Sequence, residues 1–262
     1  MRLLARHDLR PDTSLGQHFL LDENLVDVSV RDACVGPEDV VLEVGAGVGV
    51  LTVALARAAA HVHAVEVDRR LEAALTESLA PYPNVRVHWA DAARLDMEAL
   101  DPAPTKLVAN LPYSIATPIV ADSTWRLPGL VRWSVMVQRE VAERWVAAPG
   151  GREYGAPSVV VQHATRQIAR RAVPREAFVP RPRVESSLVV LERTGPGAGP
   201  ALRRLVRAAF AGRRKTLANS LSAAGYERAA VLAALDRMGR PPAARPETLS
   251  PEEYAVLAEA LA

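Results

Sequence analysis

Only one cysteine, Cys34, occurs in the 262 residues, which excludes an intramolecular disulfide and a thiolate cluster for zinc. Its setting in VDVSVRDACV reads as a small hydrophobe buried on a helix. Long apolar runs are missing too: none approaches the roughly 20 residues that a membrane span requires, and the opening MRLLARHDLRPD has no apolar core of signal-peptide length. No membrane partner is expected, and the expected location is the cytoplasm. The six histidines show no HExxH or similar ligand spacing, and no Gly-x-Ser-x-Gly elbow presents a serine nucleophile. No metal is expected. His61 and His63 alternate about Val62 and read as a partly exposed strand face.

Apolar residues make up 49% of the chain, enough for a real core. Short β-branched runs alternate with helix-period segments through most of the sequence. The strand candidates are VVLEV (40–44), HVHAVEV (61–67), VRVHW (85–89), KLVAN (106–110), WSVMVQ (133–138), PSVVVQHAT (157–165) and SSLVVLER (186–193). Amphipathic stretches such as LTVALARAAA and RRLEAALTESLA lie between the earlier ones. This rhythm predicts an α/β fold with a largely parallel sheet and helices on both faces. Fewer helices separate the later strands, which predicts an antiparallel edge. TGPGAGP (194–200) reads as a linker, and beyond it the pattern is purely helical. Glycine closes three of the four helical stretches, and Ser250-Pro251 opens the last. The expected organisation is a main domain over 1–195 and a small all-α domain over 201–262.

The net charge is only +2, but its distribution is uneven. Six arginines stand against one acid from Arg166 to Arg183, and nine basic residues against two acids from Ala201 to Arg240. Basic runs are commonly solvated faces; two of them in the second half of a near-neutral chain point to a polyanion partner.

VVLEVGAGVGVLTVALA is a strand, a turn carrying Gly45, Gly47 and Gly49, and a helix. Glycines let the backbone turn sharply and approach a ligand, and the helix start offers unpaired N–H groups. A dinucleotide fingerprint needs G-x-G-x-x-G, and Val50 occupies the third glycine position, which weakens the dehydrogenase reading. An E-x-G-x-G-x-G turn is instead typical of enzymes that bind S-adenosylmethionine. Glu43 at the strand end can meet an ammonium group, Glu66 after the second strand can accept ribose hydroxyls, and Asp91 after the third can accept from an adenine amine. Each alone is as well read as a cap. Three in series lie at the carboxyl edge, where α/β sheets bind ligands.

The fourth strand candidate ends in Asn110-Leu111-Pro112-Tyr113. Alone this is an Asx-type turn with a surface tyrosine; fourth in the series, it falls beside the sulfonium methyl of such a ligand. With SLGQHFLLDENLV, VLEVGAGVGVLT, VEVD, DAARLD, KLVANLPYSIATPI, VMVQREVAERWVAAPGGREYGAPSVVVQ, FVPRPRVESSLV and AFAGRRKTLANSL, nearly the whole chain resembles the ribosomal RNA adenine N6-dimethyltransferase family, in its small-subunit (16S) branch.

The resemblance implies a Rossmann-like class I S-adenosylmethionine-dependent methyltransferase that dimethylates N6 of two adjacent adenines in the loop of the hairpin near the 3′ end of 16S rRNA, within the 30S subunit or its precursor, and releases S-adenosylhomocysteine. It implies cofactor contacts at Gln17, His18, Leu20, Gly45, Glu66, Asp91, Ala92 and Asn110, beside Glu43 and Gly47 of the turn. The family often has GQNFL where this chain has His18, so a side-chain contact there would differ. Asn110, Leu111 and Pro112 would hold the target amine, and Tyr113 and Phe178 would flank its base, with simple packing the alternative for Phe178. Arg203, Arg204, Arg207, Arg213, Arg214 and Lys215 would hold rRNA phosphates. The alternatives are a 23S rRNA adenine methyltransferase conferring macrolide resistance and a non-catalytic rRNA-binding assembly factor. Nothing in the sequence marks an obligate oligomer, so a monomer is expected.

Overall fold

The structure, a computed structural model, describes residues 2–212 and 215–262. Its strands are β1 (Phe19–Leu20), β2 (Val40–Val44), β3 (His61–Glu66), β4 (Val85–Trp89), β5 (Lys106–Asn110), β6 (Arg132–Gln138), β7 (Thr165–Val173), β8 (Phe178–Val179) and β9 (Ser186–Arg193). The helices are α1 (Arg2–Arg6), α2 (Glu23–Asp32), α3 (Val50–Ala58), α4 (Glu72–Leu79), α5 (Ala116–Arg126), α6 (Arg139–Trp145), α7 (Ala156–Ala164), α8 (Pro200–Ala209), α9 (Leu217–Ala223), α10 (Arg228–Arg237) and α11 (Pro251–Ala260).

Seven strands form one sheet in the order β4-β3-β2-β5-β6-β9-β7. β2 to β6 are parallel and β9 runs antiparallel to β6, so the expected α/β sheet with an antiparallel edge is present. β2 is buried along its whole length, as a strand covered by helices on both faces must be. The strand order reverses between β2 and β5, and such a switch point opens a crevice at the carboxyl ends of the strands. A separate two-residue pairing, Phe19 with Val179 and Leu20 with Phe178, joins the N-terminal segment to the region after β7.

One strand candidate is corrected. PSVVVQHAT is helix α7, with Pro157 in its first turn and the Gly155 amide donating to Ser158 Oγ at 3.0 Å. A short apolar run fits a buried helix as well as a buried strand, and proline favours a helix start. The strand is instead the following TRQIARRAV, whose residues are mostly exposed on both faces, so no alternation announces it.

The chain divides into two compact units, Met1–Ala142 with Gln167–Arg193, and Glu143–Arg166 with Thr194–Ala262. Residues 143–166 therefore cluster with the C-terminal helices and not, as the expected boundary at 195 had it, with the sheet. Within that helical unit Tyr154 lies edge-on to Phe210, which faces Tyr254, at ring separations of 6.3 and 5.9 Å. The Tyr154 and Tyr254 hydroxyls donate to the carbonyls of Leu249 and Pro246. Tyr154 thus adds a ring from before residue 200 to a core that the C-terminal helices build around Phe210, Tyr254 and buried leucines such as Leu205 and Leu235. Ser250 and Glu253 form a reciprocal cap at the start of α11.

Two other expectations change. Cys34 is exposed, one residue past the cap of α2 and at φ 52°, and Arg132 Nη1 donates to its sulfur at 2.6 Å. His63 is fully buried, not on a partly exposed face; it bonds His88 Nε2 at 3.0 Å and the Pro102 carbonyl at 2.8 Å. Burial lowers the pKa of His61, His63 and His88, the last to about 4. Among the described residues no cluster of His, Cys, Asp or Glu could hold a metal ion, and no helix is long and apolar enough to cross a membrane.

Candidate active site

A cleft opens over the carboxyl ends of β2, β3, β4 and β5. It is an open cleft of about 960 Å³, its mouth included. Gln17, His18, Leu20, Glu43, Gly45, Gly47, Glu66, Asp91, Ala92, Asn110, Leu111, Pro112 and Tyr113 all line it. The structure thus brings together every cofactor and amine-binding candidate named from the sequence, and leaves out Phe178.

Its floor is the glycine turn after β2. Gly47 has φ 59°, and a Cβ there would stand 2.9 Å from the Phe19 ring, so neither backbone nor space admits a side chain. Gly45 and Gly16 both pack on Pro112. The turn that follows β5 is thereby wedged against the turn that follows β2.

Two carboxylates dominate one half of the cleft. Glu66 Oε1 accepts from the amides of Val67 and Asp68, each at 2.9 Å, and Oε2 from Gly47 at 2.8 Å. These bonds fix the carboxylate plane, and Oε2, with a single amide donor, keeps a lone pair for a ligand hydroxyl. Glu43 is fully buried and its Oε2 has no hydrogen-bond partner. Burial pushes its pKa up to about 8; Thr52 draws it down, and the nearby Glu66 charge raises it further. A buried carboxyl with an orphaned oxygen fits a cationic group, whose charge would restore the ionised form. Asp91 is exposed and caps its own turn, accepting from the Ala93 amide at 2.9 Å.

The other half is held by contacts distant in sequence. Asn110 Nδ2 donates to the His18 carbonyl at 2.9 Å, which leaves Oδ1 as the accepting end of the amide. Leu111 is anchored through its amide to the Met136 carbonyl at 3.1 Å. The Tyr113 hydroxyl shares a 2.7 Å hydrogen bond with Ser186 Oγ, and burial raises its pKa. His18 Nδ1 donates to the Pro180 carbonyl at 2.7 Å, and its ring lies near-parallel to Tyr113, 24° apart in plane with centroids 6.0 Å apart. The His18 imidazole is therefore turned toward the tyrosine and away from the carboxylates. Gln17 is committed to positioning: its Nε2 donates to Asp68 Oδ2 at 2.7 Å and its Oε1 accepts from the Asp12 amide. Asp68 is held down at about 2, chiefly by Arg70.

Phe178 is 1% exposed and belongs to the hydrophobic cluster of Leu20, Val26 and Leu188. Of the two readings of Phe178, stacking and packing, the structure shows its ring packed in the core and not lining the cleft. The ring beside Tyr113 is instead that of His18. Sequence reasoning did not name Ser186 and Pro180, which hold these two rings, as site residues, although both stand in the FVPRPRVESSLV segment that carries the family resemblance.

Of the basic residues named beyond the linker, Arg204 and Arg207 share an exposed face of α8, Arg203 is partly buried, and Lys215 is exposed. Arg213 and Arg214 lie outside the described residues.

The family model described as "Ribosomal RNA adenine dimethylase" matches residues 9–261. The chain is 43% identical to the ribosomal RNA small subunit methyltransferase A of Moorella thermoacetica, over 100% of this chain and 96% of the relative. It is 45% identical to that of Rubrobacter xylanophilus, over 95% and 94%. Among solved structures, a dimethyladenosine transferase from Plasmodium falciparum superposes with a TM-score of 0.76 at 23% identity, over 92% of this chain and 96% of that one. The 23S rRNA methyltransferase ErmE does so at 0.67 with 30% identity, over 93% and 99%. A cleft at the switch point, an oriented amide on the fourth strand end and a match over nearly the full length agree: the chain belongs to the ribosomal RNA adenine dimethylase family, whose fold is that of S-adenosylmethionine-dependent methyltransferases.

Proposed function

We propose that the chain transfers methyl groups to N6 of two adjacent adenines in the loop of the 3′-terminal hairpin of 16S rRNA, acting as a cytoplasmic monomer on the 30S subunit or its precursor. The observation that carries this reading is the Asn110 amide, oriented by the His18 carbonyl so that Oδ1 is the acceptor. S-adenosylmethionine, when bound, supplies the electrophilic methyl. Glu43 would meet its ammonium group, Glu66 its ribose, and Asp91 with Ala92 its adenine; Gly45, Gly47 and Leu20 would line its path.

An adenine amine is a poor nucleophile because its lone pair is delocalised into the ring. Asn110 Oδ1 and the Leu111 carbonyl accept the two N6 hydrogens and draw the nitrogen toward a tetrahedral geometry. Positioning and electrostatics carry the step, and no strong general base is needed, since the nitrogen becomes acidic once alkylated. The target base must leave its stack, at a cost of a few kcal/mol that is smallest in a loop. Stacking on Tyr113 offsets this by roughly 1–3 kcal/mol. Arg203, Arg204, Arg207, Arg213, Arg214 and Lys215 would hold rRNA phosphates without reading sequence.

The identity of 43–45% to small-subunit relatives, against 30% to the 23S enzyme, favours the small subunit. Labelled S-adenosylmethionine with separated 30S and 50S particles tests it: label in 16S rRNA of 30S particles is expected, and label confined to 50S would sink the reading.

A further inference from the structure

The basic run ahead of β9 has no part in the site described so far. Along β7, Ile168, Arg170 and Ala172 form one exposed face, with Ile168 42% accessible. On the opposite face Arg171 donates to Asp32 of α2 at 2.7 Å and Val173 joins the core. The guanidinium groups of Arg170 and Arg183 make no hydrogen bond or ion pair with the described residues. Beyond β7 the chain folds back on itself, Arg175 Nη1 donating to the Arg183 carbonyl at 3.3 Å. That fold-back carries Pro180, whose carbonyl holds His18 in the cleft wall.

We propose that the exposed face of β7 and the segment 174–184 form a track for the phosphate backbone of the RNA strand flanking the extruded base, made by residues other than those of α8. Charged edge strands often serve only to block edge-to-edge pairing. Here the arginines continue past the end of β7, on both sides of the short β8, and they end next to the residue that holds the cleft wall. At about 3.3 Å per strand residue, Arg170 lies roughly 10 Å upstream of the end of β7, a span of a nucleotide or two. The charge fits a nucleic acid strand, and Pro180 of the same segment ties it to the cleft wall through His18. Ile168 and the 44% exposed Val184 offer apolar contact to sugars.

The inference rests on the rRNA methyltransferase reading, and the test separates the two. Wild type, R170Q/R183Q and R171Q are compared on undimethylated 30S particles for methylation kinetics and for the salt dependence of binding, with S-adenosylmethionine affinity and thermal unfolding as checks on folding. For R170Q/R183Q the slope of log K against log salt is expected to become shallower by about 0.7–0.9 for each phosphate that is no longer neutralised. KM for 30S should rise about tenfold, with kcat within about twofold and cofactor affinity unchanged. R171Q, whose arginine faces α2, should keep the wild-type slope. A double variant with wild-type slope and KM overturns the track while leaving the methyltransferase reading intact; a wild-type chain that does not methylate 30S overturns both.

Discussion

The two halves of the cleft are built in different ways. The carboxylate half is assembled from the ends of consecutive parallel strands, and Glu66 is fixed there by the amides of Val67, Asp68 and Gly47. The half around Asn110 and Tyr113 depends on His18, Pro180 and Ser186, brought from distant parts of the chain. In the function proposed above, cofactor binding would come with the sheet itself and base positioning would depend on two loops meeting correctly, so damage to either loop should separate kcat or KM for RNA from cofactor affinity.

Four variants test that separation. Replacing Asn110 by Ala should lower kcat by about 10²–10³-fold, the loss typical of one preorganised polar group at a reacting centre; 30S methylation at the wild-type rate would refute the mechanism. Glu66→Ala should act on the other half, weakening S-adenosylmethionine binding about 10–100-fold by calorimetry, with a smaller change in kcat at saturation. A third experiment uses Glu43, whose pKa of about 8 keeps it protonated at neutral pH until a cation binds. Because the ligand selects the ionised form, binding should release a proton below pH 8, and affinity should rise with pH by up to about tenfold per unit from pH 6 to 8 before levelling. Calorimetry in buffers of different ionisation enthalpy measures the proton; the dependence should vanish in Glu43→Gln, and its survival there would assign the proton elsewhere. The smallest effect is expected for Ser186→Ala, which frees the Tyr113 hydroxyl: KM for 30S should rise about 2–10-fold, the worth of one hydrogen bond, with cofactor affinity untouched. Equal weakening of cofactor and RNA would erase the distinction between the halves.

That distinction also governs what the sequence discloses. Strand ends bearing Glu43, Glu66, Asp91 and Asn110 are legible because a βα repeat places each at the same edge, and periodicity alone recovers the repeat. Tyr113 is legible by adjacency. Pro180 and Ser186 stand in the FVPRPRVESSLV segment, but periodicity does not report that they meet His18 and Tyr113 across the chain, beside a two-residue antiparallel pairing between Phe19–Leu20 and Phe178–Val179. Phe178, in the same pairing, is packed in the core. Residues 156–173 fail for another reason: the valines of α7 carry strand propensity, while β7, mostly exposed, has no alternation to reveal it. Tyr154 shows that a domain can recruit its core from an earlier segment, which no linker composition reports.

The bond between Tyr113 and Ser186 has a temporal side. Seventy-three residues separate the two partners, which at roughly 5–20 residues per second of synthesis is about 4–15 s. A nascent chain therefore has the elements of its carboxylate half seconds before the tether that fixes the tyrosine exists. The wall around Tyr113 is completed later than the carboxylate half, after the residues from Arg175 to Arg183 have been added.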